Sequence, residues 1–265
     1  MARIAVLGTL AVDRVAQRGR ALPDRCGGGG ANAAVALARA GHQVALVSAV
    51  GDDADGRALL ATLDAAGVDT AHVARLPQPT SNSLLLVDPQ GERTIVNLQR
   101  LHAPHPGVLR ELELDAVYVR SRASDLAPLL RALLPHRRVV AHVPPCDDGA
   151  LPAHVLVGSA ADLAPGLLLD PFAHAMRISD GQAEWIVATR GPQGASAYGR
   201  GETLQQPALP VTAVDSTGAG DAFAAGLVHA LVHGETMAGC LAVAAAWGAA
   251  AVSQAGSLPG PGFPP

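Results

Sequence analysis

The chain has 265 residues, 49% of them hydrophobic and 16% charged, which is enough to bury a sizeable core and too apolar for a disordered chain. Its 19 basic and 23 acidic residues leave a formal charge of -4, which excludes the basic footprint of a nucleic-acid binder. Every basic residue is arginine, so chemistry through a Schiff-base or Walker lysine is excluded as well.

The amino-terminal run MARIAVLGTLAVD is cut by Gly8 and followed by Asp13, without the pattern of a signal peptide. The alanine-rich carboxyl end is broken by Trp247 and Gly248 and is small rather than lipophilic, so no membrane span is expected and the reading is a cytoplasmic protein. Cys26, Cys146 and Cys240 are odd in number and widely spaced, which argues against a disulfide framework or a structural zinc site. The ten histidines read as scattered surface or core residues, with no HExxH or paired-ligand spacing.

Aliphatic runs alternate with alanine- and leucine-rich segments of helical length, the rhythm of an α/β fold with a largely parallel sheet. The first strand is predicted over Arg3 to Leu7, a helix over Ala31 to Ala40 ended by Gly41, a strand over Val44 to Val47 and a helix over Asp55 to Ala66 ended by Gly67. Between Ser81 and Leu98 two strand-like runs flank Asp88-Pro89-Gln90-Gly91, the composition of a hairpin turn, and a hairpin inserted into a βα rhythm suggests a lid. Further strands are predicted at Ala116 to Val119, Val139 to Val143, Val155 to Val157 and Trp185 to Thr189, with a helix at Asp125 to Leu134. Gly218 to His233 and Met237 to Ser253 are apolar nearly all round, as buried helices are, and the Pro/Gly-rich tail after Gly256 reads as irregular. No repeat or linker divides the chain, so a single α/β domain over 1–265 is expected, with lid elements from about 9–26 and 70–100.

The segment most charged with chemistry is Val214-Asp215-Ser216-Thr217-Gly218-Ala219-Gly220-Asp221, directly before a helix. Gly-Ala-Gly lets backbone N–H groups converge at a helix amino terminus, where unpaired donors and the dipole favour an anion such as a phosphate. Asp221 in the first turn is then placed to take a proton from a hydroxyl attacking a phosphoryl group. Taken alone, a Gly-x-Gly-Asp string better suits an Asp capping a helix after a flexible loop.

The full string DSTGAGD resembles the carboxyl-terminal signature of the ribokinase-like, or PfkB-type, sugar and nucleoside kinases. Other segments are similar to that family in order and spacing: the opening strand followed by Asp13, GGGGANAAVALARAG from Gly27 to Gly41, VSAVGDDADG from Val47 to Gly56, and Ala188-Thr189-Arg190-Gly191-Pro192-Gln193-Gly194. The resemblance implies a three-layer α/β/α fold with a mostly parallel central sheet and a small β lid. It implies Asp221 as general base with Gly218, Ala219 and Gly220 as an anion hole, and Asp13, Gly28, Gly29 and Asn32 around a sugar-like substrate. Thr189, Gly191 and Gly194 would approach ATP, which is used with Mg2+. Asp215 and Thr217, with backbone carbonyls near Ala251 and Gly256, would match a loop for a monovalent cation such as K+. The lid often mediates dimer contacts, so a homodimer is expected.

The family's Asn-x-x-Glu motif, which organises magnesium, is missing from the corresponding stretch His154 to Asp162, where Asp162 is the nearest carboxylate. No lysine follows Gly28, so the glycine turn itself offers the substrate no side-chain charge. The expected activity is an ATP-dependent phosphotransferase acting on a hydroxymethyl group of a sugar. The alternatives are a nucleoside kinase, and a catalytically weak sugar-binding or regulatory protein on the same fold. Few aromatics are present to stack a nucleobase, which favours the sugar. A nicotinamide-dependent dehydrogenase fails because no GxGxxG follows the first strand.

Overall fold

The computed structural model describes residues 1–17, 20–87, 93–121, 125–143, 150–163, 168–260 and 262–264. The chain opens with β1 (Arg3–Gly8) and then forms the short strands β2 (Ala11–Gln17), β3 (Arg20–Ala21) and β4 (Arg25–Gly27). Helix α1 (Gly29–Arg39) leads to β5 (Gln43–Gly51), α2 (Ala54–Ala65), β6 (Val68–Asp69), β7 (Val73–Leu76), β8 (Asn82–Val87) and β9 (Arg93–Gln99). There follow β10 (Ala116–Arg120), α3 (Ala127–Leu133), β11 (Arg138–His142), β12 (Val155–Ser159), α4 (Pro171–Ile178), β13 (Trp185–Thr189), β14 (Ala195–Gly199) and β15 (Glu202–Gln206). Helices α5 (Ala219–Val232) and α6 (Met237–Val252) are the last elements in chain order.

The central sheet has the order β15-β14-β13-β12-β11-β10-β1-β5-β6, with β7 also paired to β5. It is parallel from β13 to β6, and antiparallel only where β14 and β15 are added at one edge. Alternate residues of β1 face opposite layers. Ile4 and Val6 pack into the core shared with α1, α5 and α6, and Ala5 and Leu7 into the core shared with α3 and α4. Both faces are therefore covered, which is why the central strands read as continuous apolar runs rather than as alternating ones. This is the three-layer α/β/α arrangement expected from the resemblance.

The second sheet is larger than the hairpin predicted from sequence. Strands β8 and β9 pair antiparallel as expected, but β2 joins β8 in parallel and carries β3 and β4 on its other side. The predicted turn at Asp88 to Gly91 lies outside the described residues. Strand β7, within the predicted lid segment 70–100, pairs with β5 and so belongs to the central sheet. Strands β14 and β15 escaped the sequence reading because ASAYG and ETLQQ are small and polar, with no apolar run to mark them. Helix α4 was legible and missed: Asp170 caps it by accepting the Ala173 N–H at 3.0 Å, and Pro171 follows at the first position, a recognised start signal. Cys26 and Cys240 are free thiols, and Cys146 lies outside the described residues.

Candidate functional site

A cleft of about 550 Å3 opens at the carboxyl ends of the parallel strands, between the central sheet and the second sheet. The chain leaves β1 toward β5 on one side and returns to β10 on the other, so β1 marks a switch point in strand order. Open α/β sheets bind ligands there because the loops diverge and leave a crevice. Thr9 after β1, Arg120 at the end of β10, His142 at the end of β11, Ser159 at the end of β12 and Thr189 at the end of β13 all line it.

The glycine run after β4 is what lets α1 start against this cleft. A Cβ on Gly27 would lie 2.0 Å from Asp13 Oδ2, so the missing side chain is the space the carboxylate occupies. Gly28 caps α1 with φ 96°, and Gly30 crosses Gly8 so closely that a Cβ would meet Gly8 backbone at 2.6 Å. These contacts pull the helix start two residues earlier than the predicted Ala31 and put Asn32 in its first turn. Asn32 is buried and donates from Nδ2 to Asp221 Oδ2 at 2.9 Å, while its Oδ1 has no hydrogen-bond partner among the described residues. A buried acceptor in a cleft wall with nothing to accept is suited to a ligand hydroxyl.

The loop before α5 is tied by its own aspartate: Asp215 Oδ1 accepts the Thr217 N–H at 2.8 Å. Gly218 takes the left-handed conformation, φ 79°, and a Cβ there would lie 2.6 Å from the Ser257 carbonyl, so only glycine suits the position. Gly218, Gly220 and Asp221 line the cleft; Ala219 turns its N–H to Ser216 O at 3.3 Å and is not among the lining residues. Asp221, in the first turn of α5, is held from two sides, by Asn32 and by Arg120, whose Nε–H donates to Oδ1 at 3.1 Å. Two of a carboxylate's lone-pair positions are thereby filled and the others remain for a ligand.

Asp13, Gly28, Gly29, Asn32, Thr189, Thr217, Gly218, Gly220 and Asp221 thus meet in one cleft, although they come from both ends of the chain. Gly191 and Gly194 do not line it; Gly194 instead makes a tight turn in which a Cβ would stand 2.0 Å from Gln206 O. The Asp215 group lies behind the Gly218 loop. Its Oδ2 accepts the Gly256 N–H at 3.1 Å and faces the Arg25 guanidinium at 3.6 Å. The carbonyl of Ala251 meets the Gln254 N–H at 3.4 Å.

Sequence reasoning missed the two arginines of the cleft. Arg120 ends β10 and Arg100 follows β9, where it bonds Asn97 Oδ1. Arg120 is an exposed-looking polar end to a buried strand, and nothing local marks it as the partner of Asp221. Burial alone would lower its pKa, but Asp221 beside it more than offsets this and holds the guanidinium charged. Asp162 also lines the cleft and lies near enough to add to that pull.

Asp13 is the most perturbed acid of the site. Burial pushes its carboxyl from 3.8 up to about 6, with Arg100 pulling down, Asp221 pushing up and Arg25 pulling down. A carboxyl raised in the folded state binds its proton more tightly there than in the unfolded chain. Stability from this group is therefore lost as pH rises from 3.8 through about 6. Asp13→Asn removes a buried charge and is expected to stabilise the fold at pH 8 by an amount of order 3 kcal/mol at most, read as a higher melting temperature. Thermal melts should show that gain narrowing as pH falls below about 6 toward 4.

The comparisons with known proteins agree with this geometry. The pfkB family carbohydrate kinase profile matches residues 1–113 and 170–261. A fructokinase of Salmonella typhimurium is 30% identical over 269 residues, covering 87% of this chain and 84% of its own length. An ATP-dependent ribose-1-phosphate kinase of Halopiger xanaduensis is 30% identical over 271 residues, covering 96% of this chain and 90% of its own. Among solved structures, Arabidopsis thaliana ribokinase complexed with ribose and ATP superposes with a TM-score of 0.80 at 21% identity, covering 97% of this chain and 96% of that one. A matched profile over most of the chain, with a cleft at the switch point and an Asp at the glycine-loop helix, has one reading: the chain belongs to the pfkB family of carbohydrate kinases, phosphotransferases with an alcohol group as acceptor.

Proposed function

We propose that this chain transfers the γ-phosphoryl group of ATP to a hydroxymethyl group of a sugar, with Asp221 as general base. The observation that carries the reading is the Asp221 carboxylate, clamped between Asn32 and Arg120 at the first turn of α5 beside the left-handed Gly218. Neighbouring hydroxyls of the sugar donate to Asn32 Oδ1 and Asp13 and so bring the hydroxymethyl group beside Asp221, which takes its proton as the oxygen attacks. Gly218, Ala219 and Gly220 form the turn that opens α5, and its amino terminus favours the transferring anion. Thr189 faces the same cleft from the end of β13, on the side assigned to the nucleotide, where Gly191 and Gly194 shape the turn behind it.

Magnesium suits the residues present. A hard cation is held by one or two carboxylates together with phosphate oxygens, and Asp162 lines the cleft apart from the proton-accepting Asp221. Bound there, it would neutralise phosphate charge; Asp162 is the carboxylate that stands in for the missing Asn-x-x-Glu.

A monovalent cation beside Asp215 does not suit this chain. Both Asp215 oxygens accept backbone N–H groups, from Thr217 and Gly256, and the Arg25 guanidinium stands 3.6 Å away. A cation bound to Asp215 would have to share that carboxylate with the Arg25 guanidinium. Initial rates in potassium, sodium and tetramethylammonium chloride at one ionic strength are therefore expected to be equal. Arg25→Met should lower kcat several-fold.

Sugars are favoured over nucleosides because no Phe, Tyr or Trp lines the cleft among the described residues. A sugar that already bears a phosphate or carboxylate is the second reading, favoured by Arg100, whose charge reaches Asp13 inside the cleft. ADP release across neutral sugars, sugar phosphates, sugar acids and nucleosides tests all of these. Binding without release would instead favour the sugar-binding alternative.

The second sheet, read as a lid, also supports a homodimer: β8 and β9 leave Leu86, Val96 and Leu98 exposed outside the cleft, apolar side chains at an edge that otherwise invites pairing. Sedimentation should give a dimer that Leu98→Glu converts to monomer. No helix among the described residues is long and apolar enough to cross a membrane.

A further inference from the structure

Three histidines that look scattered in sequence converge away from the cleft. His229 and His233 stand four residues apart near the carboxyl end of α5, so they share one face of the helix, and the turn between α1 and β5 brings buried His42 against them. One ring nitrogen from each lies within 4.8 Å of the others. His42 Nε2 and His229 Nδ1 are 2.9 Å apart, and the rings of His229 and His233 lie 4.4 Å centre to centre. The reading of these residues as unrelated surface or core histidines is thus corrected. His229 and His233 stand about 12 and 18 Å along the helix axis from Asp221, and none of the three histidines lines the cleft.

We propose that His42, His229 and His233 bind a single zinc-class divalent cation that pins the last turn of α5 to the turn between α1 and β5. The hydrogen bonds decide which nitrogens are available. His233 Nδ1–H donates to the His229 carbonyl at 2.7 Å, which fixes that ring and leaves its Nε2 as a lone pair, the arrangement that orients metal-binding imidazoles. His42 Nδ1 accepts the Ala2 N–H at 3.1 Å, so its Nε2 carries the proton directed at His229. Binding at His42 Nε2 moves that proton to Nδ1 and gives up the buried bond from the Ala2 N–H, a cost that the metal bonds must exceed. Tetrahedral zinc separates imidazole nitrogens by about 3.4 Å, so the three nitrogens, within 4.8 Å of one another, draw slightly together on binding. The exposure of His233 leaves the fourth position to water. Imidazole donors favour Zn2+, Ni2+ and Cu2+ over Mg2+, so the magnesium of the phosphotransfer reaction does not compete.

The test uses the tag-free full chain after chelator treatment. Calorimetric titration with Zn2+ is expected to show one saturable site per chain. Cu2+ should quench the emission of Trp247, whose ring is 5.0 Å from that of His229. His233→Ala, at an exposed position that spares the fold, should weaken Zn2+ binding by more than about tenfold. His42→Asn, whose side chain can still accept the Ala2 N–H, should weaken it likewise, with circular dichroism checking that both variants are folded. Absence of saturable Zn2+ binding by the wild-type chain, or wild-type affinity in either folded variant, overturns the proposal.

Discussion

Asp221→Asn is expected to lower kcat for ADP release by about 10²- to 10⁴-fold while the KM for the sugar changes little, the range of a lost general base. The substitution keeps the shape of the side chain and one acceptor oxygen for Asn32 or Arg120, so substrate still docks. What it removes is the group that receives the hydroxyl proton. The informative comparison is turnover against sugar-induced thermal shift in the same preparation: turnover collapses and the shift survives. A variant that retained wild-type kcat would remove Asp221 from the mechanism and with it the central claim about this cleft.

Arg120→Met carries the second largest expected effect, and its logic differs. Arg120 is treated as a positioning residue, because its bonded partner is the carboxylate of Asp221. Losing it releases one side of the clamp and removes a positive charge from the cleft, which should cost about 10²-fold in kcat, comparable to losing one preorganised donor. The pair is shielded unequally, with side-chain exposures of 29% and 13%, so the stability cost is expected below the ~3–5 kcal/mol of breaking a fully buried pair. Arg120→Lys should restore much of the stability and little of the rate, since an ammonium cannot reproduce the planar Nε–H contact. In a double-mutant cycle the effects of Arg120→Met and Asp221→Asn should be strongly non-additive. Additive losses would mean that Arg120 acts independently of Asp221.

The candidate site was legible to different depths at different residues. DSTGAGD and GGGGAN are contiguous strings whose chemistry is local: a glycine that must adopt positive φ, a helix start, and an aspartate or asparagine in the first turn. Gly28, Asn32, Gly218 and Asp221 could therefore be named from sequence, and they line the cleft. Gly191 and Gly194 were legible as a turn, yet a turn motif does not say which side faces a ligand. Arg120 and Arg100 carry no local sign at all. A strand-ending arginine looks like any solvated residue until the neighbouring strands show that its end faces an aspartate 101 positions away. The histidines divide in the same way. His229 and His233 are neighbours by helical period and could have been read as a pair, whereas His42 joins them across 187 residues through tertiary packing alone.

The sequence by itself determined the α/β rhythm, the places of the central strands and of the two apolar carboxyl-terminal helices, the absence of lysine chemistry, and the glycine loops with Asp13, Asn32 and Asp221. Those features depend on residues within one or two turns of each other, where backbone conformation and hydrophobic period are set locally. Only the tertiary structure decided the strand order that puts β1 between β5 and β10, the joining of β2 to β8 in the second sheet, the clamp on Asp221, and the Arg25 charge facing Asp215. Each of these pairs groups far apart in the chain. Burying both faces of the parallel sheet drives them together, and which charges meet is settled by where the strand ends fall once that burial is complete.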